Sequence, residues 1–112
     1  MLNRWFLGWS KVVIYVPSTK DVNVPLSKAE DVVNSTAKFL SQRFGGATSY
    51  PARGFWLSEE SGLVKEDVTL VYTFARLRRK DRKEVIEFCL GLKAHLNQES
   101  ILLEINGEPL FL

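Results

Sequence analysis

An α+β domain with two helices on one face of an antiparallel sheet is the fold class this sequence predicts, and three observations predict it. Apolar residues alternate at strand period in Val12–Val16, Val64–Ala75 and Ile101–Ile105. Two segments, Ala29–Phe44 and Val85–Leu96, carry apolar residues at helical spacing instead. The resulting order is strand, helix, strand, strand, helix, strand, and two right-handed crossovers of this kind give a ferredoxin-like β-α-β-β-α-β sandwich with a four-stranded sheet. Asn106-Gly107 allows an extra C-terminal hairpin strand.

The elements follow in chain order. Trp5 to Trp9 reads as a lead-in strand covering an edge of the core. The first strand is apolar on both faces, Val12, Ile14 and Val16 against Val13 and Tyr15, and ends at Pro17. Ser18 to Leu26 reads as a loop, after which Ser27 and Glu30 have capping-box spacing. The first helix buries Ala29, Val33, Ala37, Leu40 and Phe44, with Val32 and Phe39 widening the stripe, and Gly45-Gly46 stops it.

Ala47 to Leu57 reads as an irregular strand broken near Pro51 and Gly54. The Ser58 to Gly62 turn joins it to Val64–Ala75, where Val68, Leu70, Tyr72 and Phe74 share one face. The opposite face, Thr69, Val71, Thr73 and Ala75, is the expected place for a partner. Asp81 is the expected cap of a second helix with Val85, Ile86, Cys89, Leu90, Leu92 and Leu96 as its stripe. Ile101–Ile105 and Glu108–Leu112 flank the Asn106-Gly107 turn.

At 112 residues the chain fits one domain, 1–112, with a single core. Lys and Arg number 15 against 13 Asp and Glu, and a net charge of +2 is too small to argue for nucleic acid or an anionic membrane. Lys11 interrupts the N-terminal apolar run, and no apolar stretch approaches the roughly 20 residues of a membrane helix. Neither a secretory signal nor a membrane span is expected. A single cysteine, Cys89, excludes an intrachain disulfide and points to the cytoplasm.

Site chemistry is sparse. The stretch Phe44–Glu66 concentrates glycines, Tyr50, Arg53, Trp56 and Glu66 around one hairpin, residue types that lock a twisted ribbon or hold a ligand. Arg53 and Glu66 are expected to face each other across the ribbon. A guanidinium turned toward Trp56 would instead offer a fork for a carboxylate or phosphate. Tyr72 and the sole histidine, His95, complete the ligand-binding candidates, while Cys89 reads as a small core residue. No catalytic set is fixed by the sequence. One His and one Cys cannot close a zinc site of the usual composition, and no cofactor is expected. The cations Arg76, Arg78, Arg79, Lys80, Arg82 and Lys83 form a basic connector without an adjacent aromatic platform, so nucleic-acid binding is not favoured.

Phe44-Gly-Gly46 with Thr48, Gly54-Phe-Trp56, Gly62-Leu-Val-Lys-Glu66 and Gln98-Glu-Ser-Ile-Leu102 resemble a small bacterial family of unknown function. Some of its members are lipoproteins with the same glycine, threonine, tryptophan and glutamate order around a central hairpin. The resemblance covers about residues 12 to 105 and implies the domain layout but no activity. This chain lacks a lipobox cysteine near its start, and its Asn106-Gly107 extension is not part of the pattern.

The leading expectation is a noncatalytic self-associating or ligand-binding module. It would form a homodimer through a sheet face carrying Val13, Tyr15 and Val71, and take a small anionic or aromatic ligand. An enzyme of the dimeric ferredoxin-like type is the alternative, with its pocket between sheet and helices and Tyr50, Tyr72, Trp56 and His95 as candidates. A third reading is weak binding of nucleic acid or an acidic partner through the basic connector.

Overall fold

The computed structural model describes residues 8–21, 24–25 and 29–112, with the backbone alone at 19–21 and 24–25. The lead-in strand and the Ser27 capping box expected from the sequence fall wholly or mostly outside these residues. In chain order the elements are β1 (Ser10–Pro17), β2 (Thr19–Asp21), β3 (Val24–Pro25), α1 (Ala29–Phe44), β4 (Thr48–Ser58), β5 (Gly62–Ala75), α2 (Arg79–His95), β6 (Leu102–Ile105) and β7 (Glu108–Phe111). The main sheet runs β4-β5-β1-β6-β7, every neighbouring pair antiparallel. This is the ferredoxin-like arrangement with the fifth strand supplied by the C-terminal hairpin. The segment expected as a loop after Pro17 contains the small β2–β3 ladder.

Strand pairing decides which residues meet the helices. Val12, Ile14 and Val16 on β1 lie beside Thr73, Val71 and Thr69 on β5, and beside Ile105 and Leu103 on β6. These strands share one core with Val32 and Leu40 of α1 and with Val85, Cys89 and Leu92 of α2. Both helices therefore cover the same face. The face expected to receive a partner, that of Thr69, Val71, Thr73 and Ala75, is the covered one, so Val71 does not share a surface with Val13 and Tyr15. Periodicity gives two strand faces but not which of them a helix will take.

Helix details follow local chemistry. Thr36, absent from the expected stripe, is fully buried because its hydroxyl donates to the Val32 carbonyl at 2.9 Å, leaving only its methyl group to pack. Phe39 and Phe88 stack between the helices with centroids 4.1 Å apart, while Leu90 points outward. Asp81 is not the cap of α2 but its third residue. Its carboxylate reaches back to the Arg78 backbone N–H at 3.0 Å, so the helix starts three residues earlier than expected.

The β4–β5 hairpin is regular where an irregular strand was expected, with unbroken pairing from Thr48 beside Tyr72 to Ser58 beside Gly62. Pro51 is accommodated because β4 is an edge strand. Ser58 Oγ accepts the N–H groups of Glu60 and Ser61 and closes the turn. Only residues 68–75 of β5 also pair with β1, so the far half of the hairpin projects as a two-stranded ribbon. Phe55, Leu57 and Leu63 are exposed on it.

Candidate active site on the open sheet face

The face away from the helices collects most of the aromatic and polar residues singled out in the sequence. Alternation from the paired positions puts Tyr50, Ala52, Gly54 and Trp56 of β4 on it, beside Leu70, Val68, Glu66 and Val64 of β5. Val13 and Tyr15 of β1 and Glu104 of β6 continue the same surface. No second layer covers it among the described residues, yet Val13 is 3% exposed and Leu70 is 8% exposed. Val13 is flanked across the sheet by Tyr72 and Glu104, and Leu70 by Tyr50 and Tyr15, so large neighbours do the shielding.

Along β4 the side chains on this face run large, small, none, large. Tyr50 and Trp56 stand as walls, and Ala52 with Gly54 forms a low floor between them, over a span of about 20 Å at ordinary strand rise. Glu66 sits directly across from Gly54, half-buried, with no side chain opposite it. A carboxylate above a glycine gap between two aromatic walls is a trough with one charged contact point.

The other half of the face is an aromatic cluster. Tyr72 meets Tyr50 and Phe74 edge to face, each with centroids 5.9 Å apart, and Lys11 Nζ lies 4.6 Å from the Tyr72 ring centre. Tyr15 donates its phenol proton to Glu104 Oε1 at 2.8 Å. Partial burial, and then the Glu104 carboxylate, push the Tyr15 phenol up to about 12, so it stays a donor. Sequence reading missed this pair. Its signal was Glu104, the single charge in the apolar run Ile101–Ile105.

Tyr50, Trp56, Glu66 and Tyr72 thus share a surface, whereas Arg53 and His95 do not join them. Arg53 faces the other way and bonds Asp67 Oδ1 through Nε at 3.2 Å, because Asp67 and not Glu66 is its partner across the ribbon. Both groups are exposed, so the pair contributes roughly 0.2–1 kcal/mol. His95 lies exposed in the last turn of α2, on the helix layer. The space between sheet and helices, where an enzyme pocket was expected, is filled by the core side chains.

The basic connector is divided by its contacts. Arg78 is tied to Asp81 through Nε at 3.0 Å and Nη2 at 3.1 Å, and Arg76 lies over the Trp9 ring. Arg79, Lys80, Arg82 and Lys83 are exposed on the first turns of α2. Burial raises the Cys89 thiol to about 12, which makes it a poor nucleophile. No group of three His, Cys, Asp or Glu suited to a metal ion occurs among the described residues. No helix among them is long and apolar enough to cross a membrane.

Comparison with solved structures bears on the fold as a whole. The fold is similar to that of a phage SAM lyase. In complex with S-methyl-5′-thioadenosine, that enzyme superposes with a TM-score of 0.70 at 22% identity, over 94% of this chain and 89% of its own. Its apo state gives a TM-score of 0.68 at 21% identity, over 100% of this chain and 90% of its own. No family model and no curated protein matches the chain. The expectation of a noncatalytic module is corrected by this similarity, since the architecture read as a binding scaffold is that of an enzyme in both structures.

Proposed function

We propose that the protein is an enzyme that cleaves S-adenosylmethionine and releases S-methyl-5′-thioadenosine, with the open-face trough as its nucleoside site. The observation that carries this reading is the half-buried Glu66 carboxylate opposite Gly54, between Tyr50 and Trp56. Support comes from the likeness, over nearly the whole chain, to a SAM lyase that binds S-methyl-5′-thioadenosine.

The trough suits such a ligand for physical reasons. An adenine ring finds flat apolar area on an aromatic wall, and a sulfonium is attracted to the face of Trp or Tyr. Glu66 accepts hydrogen bonds from the ribose hydroxyls and fixes the nucleoside along the strands. In the cleavage the bond from sulfur to Cγ of the aminobutyrate arm breaks as the substrate's own carboxylate attacks that carbon, so the sulfur leaves with the electron pair as a neutral thioether and the arm departs as a five-membered lactone. The departing positive charge makes a dry aromatic surface favourable, because the ground state loses more hydration than the transition state.

The trough is open on one protomer, and Tyr50, Trp56 and Phe74 are 44%, 43% and 56% exposed. We propose that a second copy covers this face, making a homodimer that excludes water from the ligand. A cytoplasmic setting is consistent with the single unpaired Cys89.

Incubation with S-adenosylmethionine, followed by chromatography, should show S-methyl-5′-thioadenosine accumulating with time and enzyme concentration. Glu66→Gln should lower kcat/KM by about 10- to 100-fold, the loss of one charge-assisted anchor. No product from folded wild-type protein would refute the proposal. Light scattering at micromolar concentration tests the second part, and a mass of 12.8 kDa would exclude the dimer.

A further inference from the structure

A second concave site lies at the Ala75 end of β5, where the end of the sheet meets the C-terminus of α1 and the start of α2. It is a cleft of about 300 Å³, at the lower end of small-molecule pockets. Its apolar surface comes from Trp9, Phe44 and Phe74, and three guanidiniums, Arg43, Arg76 and Arg78, reach its wall. The cleft is about 30 Å along β5 from Glu66, at nine residues of strand rise, so it stands apart from the proposed nucleoside trough.

Its charges are incompletely balanced. Arg43 pairs with Glu84 and Arg78 with Asp81, but Arg76 has no carboxylate partner among the described residues. The Arg76 guanidinium instead lies 5.2 Å from the Trp9 ring centre. A guanidinium resting on an indole leaves its in-plane N–H donors free for a planar or tetrahedral anion. Three cations against two carboxylates leave one net positive charge, and the N-terminal end of the 17-residue α2 adds about half a charge of the same sign. Arg79 and Lys80 sit in that first turn, where the helix dipole disfavours cations. A phosphate monoester carries about −1.5 to −2 at neutral pH, which matches this surplus better than a carboxylate does.

We propose that this cleft binds a nucleoside monophosphate, with the ring against Trp9, Phe44 and Phe74 and the phosphate on Arg76. The aromatic surface selects the flat ring, and the free fork of Arg76, supported by Arg78 at the helix start, selects the dianion. The site belongs to a ligand other than the substrate of the proposed cleavage. Of its lining, Phe74 alone also belongs to the open sheet face, and the contact of the phosphate with Arg76 does not require the proposed cleavage.

Isothermal titration of the full chain, with adenosine 5′-monophosphate as probe and inorganic phosphate as a second arm, tests it. The monophosphate should bind at submillimolar concentration and inorganic phosphate at least about tenfold more weakly, since phosphate lacks the ring. Arg76→Gln should weaken the monophosphate at least about tenfold, with an unchanged circular dichroism spectrum. Trp9→Leu should weaken the monophosphate and leave inorganic phosphate unaffected. S-methyl-5′-thioadenosine, which shares the ring but has no phosphate, should not displace the probe. The proposal is overturned by no binding at about 5 mM monophosphate, by full affinity in Arg76→Gln, or by displacement with S-methyl-5′-thioadenosine. Preferred binding of a single-stranded oligonucleotide, with a steep salt dependence, would also overturn it and assign the cations to nucleic acid.

Discussion

Replacing Tyr15 with phenylalanine isolates one hydrogen bond in the middle of the open face and makes its pH dependence measurable. The ring stays, so the packing beside Val13 and Leu70 is kept, and the loss is confined to the 2.8 Å bond from the phenol to Glu104. A bond to an ionised acceptor is worth about 1.5–3 kcal/mol when buried. Tyr15 is half-buried, and solvent screening brings the expectation to about 1–1.5 kcal/mol, or roughly 4–8 °C in Tm for a domain near this size. The sign with pH follows from the phenol, which is raised from 10.0 to about 12 by burial and by Glu104. The folded state holds this proton more tightly, so the stabilisation is complete below pH 10 and is lost as pH rises through 12. Urea denaturation of wild type and Tyr15→Phe at pH 8 and near pH 11.5 gives the difference directly, because the other titrating groups are common to both proteins. The gap should narrow at the higher pH. A gap that stays constant or widens would refute the assignment of the raised phenol to this bond.

Other expectations concern the frame that carries the site. Asp81 is held down to about 2 by its hydrogen bonds with Arg78, so its contribution to stability is present above pH 3.8 and is lost as pH falls through 2. Acid denaturation of Asp81→Asn should lack that component. Gly107, with φ of +82° beside Asn106 at +53°, makes a turn of the kind that Asn-Gly favours, and Gly107→Ala should destabilise by about 1 kcal/mol or more in chemical denaturation. Leu40 is fully buried between α1 and the sheet, and Leu40→Ala should cost about 2–5 kcal/mol, read as a lower urea midpoint with unchanged slope.

The amino-acid sequence by itself determined the order of the two helices and the main-sheet strands, the β4–β5 turn and the C-terminal hairpin. Each of these is written in short-range patterns: spacing of 3.6 or 2, Gly45 past a helix end, and Asn-Gly between strands. It also marked Tyr50, Trp56, Glu66 and Tyr72, because aromatics and a carboxylate beside glycines stand out in any strand. Tertiary structure alone decided which face of β5 the helices cover, and so moved Val71 into the core and left Tyr72 and Phe74 outside. Both faces of β5 carry apolar residues, and no local pattern ranks them. Register decided that Arg53 meets Asp67 while Glu66 meets Gly54, a difference of one residue that reverses the side of the ribbon. The Tyr15–Glu104 bond and the cleft at Arg76 join residues far apart in the chain. Such contacts exist only once the sheet order β4-β5-β1-β6-β7 has formed, and that order is set by packing over the whole core.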